Sequence, residues 1–163
     1  MANIIQRPDI AVYFQITQTV ESVTTTSFTR AGECWTSFTE NPNAQTKTRK
    51  YISERTERQN ITKYSPQWAF ECLMDLTKPE IEMIYNIVKE RRTGSQTLVT
   101  FVVVDIDPTS QATSFPARKV QGAVQISSID DDDDMIIKGS IYNQGDEVAG
   151  TFDTETNTFT AAA

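Results

Sequence analysis

Histidine is absent from the 163 residues. That one absence removes Ser-His-Asp triads, Cys-His pairs, histidine-ligated zinc and any histidine pH switch together. Cysteine occurs twice, at Cys34 and Cys72, too few for a disulfide framework or an all-cysteine zinc site. Both lie in apolar, strand-like sequence and are expected as small buried core residues. No apolar run approaches the ~20 residues of a membrane-spanning helix, so no membrane contact is expected. The opening residues, Met1 to Pro8, lack the basic head, apolar stretch and cleavage site of a secretory signal, which predicts action where the chain is made or release by lysis. Positive charge is also scarce: 15 Lys and Arg face 22 Asp and Glu, giving a net charge of -7 and a pI near 4.6. That sign disfavours a protein whose task is gripping phosphates. Gly-rich phosphate loops, internal repeats and heptads are missing.

Threonine, by contrast, occurs 23 times against six Gly and six Pro, and β-branched richness of this kind favours strands. The length suits one domain spanning residues 1–163. Residues 1–9 read as an N-terminal arm. Val12, Phe14 and Ile16 alternate with Tyr13, Gln15 and Thr17 in a first, half-buried strand, and a second strand is expected between Val20 and Phe38. From 41 to 63 the pattern collapses into a long polar loop. Trp68, Phe70, Cys72 and Met74 alternate in a strongly apolar strand. A helix over 78–92 follows, with Thr77 as N-cap, Pro79 in its first turn, Glu80 completing a capping box, Ile81, Ile84, Tyr85 and Val88 on one face, and Gly94 as its stop. Glu82 and Glu90 are expected to face outward. Thr97 to Ile106 reads as a central strand, and 115–129 with 135–142 as a hairpin with an acidic tip, Gly122 being a candidate bulge. A tail over 145–163 carries Phe152 and Phe159 around a polar turn. The fold class is therefore mainly β (α+β): a β-sandwich or partial barrel with one flanking α-helix.

Two charged segments stand out. Asp130, Asp131, Asp132, Asp133 and Asp134 are consecutive, so they point in different directions and lack the alternating spacing, glycine and terminal Glu of a calcium loop. A solvated turn, an acidic surface for a partner and a metal site remain open in that order. The loop 41–63 carries six basic and two acidic residues; with Glu54 and Glu57 among Lys47, Arg49, Lys50, Arg55 and Arg58, a protein contact outranks a solvated loop or a nucleic-acid surface. No catalytic constellation, cofactor site or metal site is identified, and carboxylate pairs are uninformative where acids are this abundant. Arm, loop and tail together look like devices for contact between subunits.

From about residue 40 onward the chain resembles the major tail protein, or tail tube protein, of long-tailed phages and prophages of Gram-positive bacteria. The resemblance is carried by KTRKYISERTERQNITKYSPQWAFECLMD at 47–75, KERRTG at 89–94, ARKVQGAVQISSI at 117–129 and GDEVAGTFDTETNTFTAA at 145–162. The acidic run is no part of it. The resemblance implies a tail-tube-like sandwich and a homo-hexamer whose rings stack into a hollow tube conducting the genome. It implies location in the virion tail, assembly in the host cytoplasm, and other tail proteins (tape measure, tail terminator, baseplate or tip) as partners, DNA passing without specific binding. The loop 41–63 would join rings through Lys47, Arg49, Lys50, Arg55 and Arg58, and Asp130 to Asp134 would lie in the lumen or at its rim. The hairpin from Phe115 to Tyr142 is the candidate wall of the channel. A monomeric β-sandwich carbohydrate-binding module is the alternative.

Overall fold

The computed structural model describes residues 10–131 and 133–163; the arm expected at 1–9 and Asp132 of the acidic run lie outside them. Eleven strands and one α-helix follow one another: β1 (Ile10–Val20), β2 (Val23–Ala31), β3 (Trp35–Asn41), β4 (Ala44–Arg49), β5 (Arg58–Tyr64), β6 (Gln67–Leu73), α1 (Pro79–Lys89), β7 (Leu98–Asp105), β8 (Ser114–Asp131), β9 (Met135–Asn143), β10 (Val148–Asp153) and β11 (Thr158–Ala161). The main sheet runs β2-β1-β7-β8-β9-β6-β3, antiparallel throughout. With 18 residues β8 is long enough to serve two neighbours along one edge: β10 pairs with Ser114–Lys119 and β9 with Gly122–Asp131, while β7 takes the other edge. The sheet forks there.

Each branch of the fork curls over a different face of β1 and β7. The β9-β6-β3 branch brings Trp35 to stack on Phe14 at 5.2 Å and Trp68 edge-on to Phe101 at 5.0 Å. The β10-β11 branch sets Phe152 at 4.3 Å from Tyr13 and edge-on to Phe28 at 5.7 Å. Ala11 to Phe14 and Phe101 to Val104 are in consequence buried on both faces, where the alternation in β1 had predicted a half-buried strand. Burying a large apolar side chain contributes about 1.5–3 kcal/mol, so this doubly covered pair of strands is the centre of the fold. The arrangement is a sandwich: β3 packs over β1, but no ladder joins β2 to β3 and the sheet does not close into a barrel.

The helix lies on the larger core through Ile81, Ile84 and Ile87, with Glu82 and Glu90 exposed. Tyr85 and Val88, expected on the buried face, are half-buried, and Ile87 takes that place. The capping box is not formed. Lys78 is the N-cap, with no side-chain cap, because the Thr77 amide and hydroxyl both donate to Asp75 Oδ1, at 3.0 and 2.6 Å. Glu80 is buried and its Oε2 has no partner. At the other end Arg91 (φ 52°) takes the left-handed position; its amide bonds the Val88 carbonyl and that of Arg92 bonds Ile87, so the helix stops before Gly94.

Three further expectations are corrected. The single strand expected between Val20 and Phe38 is two, β2 and β3, separated around Gly32 and Cys34 (φ 72°). Gly122 is no bulge, since the register shift in β8 falls between Ile126 and Ser128; glycine is needed because a Cβ there would lie 2.4 Å from Ile141 Cγ2. The tail is a hairpin with burial inside its own subunit, Phe152 being fully buried against Tyr13.

Candidate assembly surfaces

The segment 41–63, expected as a loop, is for most of its length an ordered hairpin. The β3-β6 ladder ends at Asn41↔Gln67 and resumes as β4-β5 at Ala44↔Tyr64. Pro42 and Pro66 lie in the gap, and a proline, having no N–H, interrupts a ladder at such a position. Beyond it, among the described residues, neither β4 nor β5 has a third strand beside it. Every residue of β5 is exposed. Alternate residues of a strand share a face, so Lys47 and Arg49, opposite Asn60 and Arg58, form one basic face, while Thr46 and Thr48 share the other with Ile61 and Gln59. Arg49 stands directly opposite Arg58, a repulsive pairing. Arg58 turns to Glu54, with which it forms an ion pair, and lies over the Tyr51 ring at 5.7 Å. Lys50 and Arg55 belong to the connection between the strands and are exposed, as is Ile52, completely.

The acidic run lies at the far end of the sheet. Asp130 and Asp131 are the last residues of β8, opposite Ile136 and Met135, and Asp133 and Asp134 form the bend. Asp130 pairs with Lys138 at 3.0 Å, and hydrogen bonds from Lys138 and then Ser128 hold its carboxyl below the usual range. Because Gln67 of β6 pairs with Tyr142 and Leu73 with Ile136, the basic hairpin leaves the sheet at one end of the β6-β9 ladder and the acidic tip at the other. Sequence reading located both segments without showing that they are opposed.

At the hairpin's end of the sheet Arg118 of β8 forks onto Glu40 of β3, with Nη1 to Oε1 at 3.0 Å and Nη2 to Oε2 at 3.1 Å, and reaches Glu147 at 3.3 Å. The bond to Glu40, against the cost of burial, raises the guanidinium pKa. This pair ties the far strand of one branch to the root of the other, and 78 residues of separation hide it from sequence reading.

Of the cysteines, Cys72 is fully buried, its thiol pushed up to about 12 by burial. Cys34 is only half-buried and hydrogen-bonds Asp75 at 3.7 Å; burial and that neighbouring charge raise its pKa too, so neither thiol is poised as a nucleophile. Among the described residues no group of three or more Cys, Asp and Glu is placed to hold a metal ion, and no helix is long and apolar enough to cross a membrane.

No family model and no curated relative matches the chain. Among solved structures it is similar to a chain of the anti-feeding prophage baseplate, from a cryo-EM structure with six-fold symmetry applied: TM-score 0.51 at 9% identity, covering 95% of this chain and 99% of that one. The likeness covers nearly the whole of both chains and shows a shared fold.

Proposed function

We propose that this chain is a structural subunit of a phage-tail-type particle, and that it builds the tube itself: six-membered rings that stack into a hollow conduit. The observation that carries the reading is the opposition of the basic β4-β5 hairpin and the acidic β8-β9 tip at the two ends of one ladder. A subunit with unlike charge at its two ends stacks head to tail, and heterologous contacts of that kind propagate until a symmetry closes them or something caps them. Lys47, Arg49 and Arg58 on one face, with Lys50 and Arg55 beyond, then meet the acidic rim, Asp130 to Asp134, of the next ring. The fold shared with a prophage baseplate chain supports a place in a tail assembly, alongside other tail proteins and inside a virion. The role is structural, not enzymatic.

The chain beyond Thr97 holds three basic residues against eleven acidic ones, so a channel walled by it would repel nucleic-acid phosphates and let the polymer slide. In the Phe115–Tyr142 hairpin β9 is flanked by β8 and β6 along its length, whereas the outer edge of β8 beyond Ala123 has no strand beside it among the described residues. Among the described residues β2, β3 and β11 likewise have a ladder neighbour on one side only. Negative-stain microscopy of the purified protein tests the reading: rings or rods are expected. Replacing residues 43–64 by a short turn should leave a folded subunit that makes no long tubes. A compact monomer at every concentration would favour the carbohydrate-binding module instead.

A further inference from the structure

A groove of about 490 Å³ runs along the seam where the curled sheet stays open. Ile10 and Val12 of β1, Ala31 of β2, Trp35 and Phe38 of β3 and Trp68 of β6 line it, and both bounding strands, β2 and β3, have only one ladder neighbour. The two tryptophans are the only ones in the chain. Both indole Nε1 donors are buried without an acceptor, and Trp68 is 1% exposed. A buried donor left unpaired is unfavourable. The groove itself presents apolar side chains, and no strand covers them among the described residues.

The same chain carries a side chain in the reverse situation. Ile52, in the connection between β4 and β5, is fully exposed beside a half-exposed Tyr51, with nothing in its own subunit to cover it. A six-residue strand carries this tip roughly 20 Å from the hairpin's root, and the root, at Asn41, adjoins Glu40 in the groove's own lining. A tip that points away from its own groove can fill only that of another copy. Charge favours the encounter: the segment 41–63 holds six of the 15 basic residues and two of the 22 acidic ones, so it carries +4 and the rest of the chain -11. Close to the groove, Arg30 and the Arg118 bound to Glu40 nearly balance the acids, so attraction is long-range and fit is apolar.

We propose that the β4-β5 tip of one copy inserts Ile52 into the Trp35–Trp68 groove of a second copy, against the apolar side chains that line it. The inference rests on the reading of the chain as a self-assembling subunit and names the surface that receives the hairpin. Trp35 shares a ladder row with Cys72 and Ile137, two residues from the start of β9. A hairpin steered to the acidic tip of the next copy therefore arrives at the Trp35 end of the groove.

Tip and groove are different surfaces, so complementation tests the contact. Full-length Ile52→Asp removes the tip; Ala31→Arg, or Ser37→Arg should the first fail to fold, blocks the groove, with circular dichroism as the check on folding. In sedimentation velocity the wild type should form larger assemblies than either variant alone. An equimolar mixture should form a larger species than either variant alone, with a shift in tryptophan emission that reports the groove alone. Ile52→Val should associate like wild type. Equal association of Ile52→Asp and wild type, or a mixture no larger than either variant alone, overturns the proposal. So does a chain lacking residues 1–9 whose emission shifts while that of Ile52→Asp does not, since the groove then holds the chain's own N-terminal segment. Tubes formed equally by Ile52→Asp would refute this contact and leave the tube reading standing. Association through tip and groove without rings or tubes would do the opposite, and a wild type monomeric at every concentration would end both.

Discussion

Two hairpins of opposite charge leave the sheet at opposite ends, and they are held in place by different means. In β8-β9 the strands are accompanied: β6 runs beside β9 as far as Ile136, and Ile137 and Ile141 are fully buried between layers. Only the last two or three residues on each side of the acidic bend project. In β4-β5, among the described residues, no third strand lies beside either strand, no residue of the pair is buried, and Ile61, Tyr64 and Ile52 face solvent. An isolated two-stranded hairpin is marginally stable in water. The accompanied hairpin is part of the fold, and the unaccompanied one contributes no buried side chain to it.

The contrast breaks most visibly under truncation. Ile137→Ala should destabilise the subunit by about 2–5 kcal/mol, because a fully buried aliphatic side chain leaves a cavity that the sheet fills only partly. A thermal melt measures it, and a loss near zero would mean that the β8-β9 core packs elsewhere. Gly139→Ala should cost less, about 1–3 kcal/mol. The added Cβ would sit 2.3 Å from the Gln125 carbonyl oxygen and 3.1 Å from Phe70 Cζ, so backbone must move. Ile61→Ala in the other hairpin should change subunit stability by less than about 0.5 kcal/mol, being on the exposed side of the comparison. Amide exchange sharpens the same point: β4-β5 should exchange far faster than β9 in the free subunit and slow on assembly.

The accompanied elements were the legible ones. Strand β6 announces itself by Trp68, Phe70 and Cys72 at period two, β7 by its apolar run, and β8-β9 by alternation on both sides of the acidic run, because burial imposes those patterns. Strand β4 has no apolar pattern to show, its order resting on threonines and cross-strand pairing, so it reads as loop. The β1-β2 turn escaped for another reason. Glu21 and Ser22 both adopt positive φ, 50° and 67°, in a two-residue loop without the Asn-Gly signature that such turns favour. Ser22→Gly should relieve that strain and stabilise by about 0.5–1 kcal/mol. As for the candidate site, its charges were legible from composition. The fork at β8, the Glu40–Arg118 pair and the unpaired indoles arise from contacts between distant segments that no local pattern encodes.

The smallest expected effect concerns the one ion pair at the acidic tip. Asp130 is exposed, and its carboxyl is held below the ordinary range by Lys138 first and Ser128 second. A carboxyl whose pKa is lower folded than unfolded contributes stability that is present above the unfolded value, near 4, and is lost as pH falls through the folded one. Asp130→Asn should therefore melt slightly below wild type at neutral pH, the gap closing as pH drops below about 4. Salt should narrow the gap at neutral pH as well, since an exposed pair is screened. Repulsion among Asp130, Asp131, Asp133 and Asp134 works against the pair, and removing one of these charges relieves it. Should Asp130→Asn melt above wild type at neutral pH, that repulsion would exceed the Lys138 contact. The acidic tip would then carry unrelieved like-charge repulsion, as the basic hairpin does where Arg49 stands opposite Arg58.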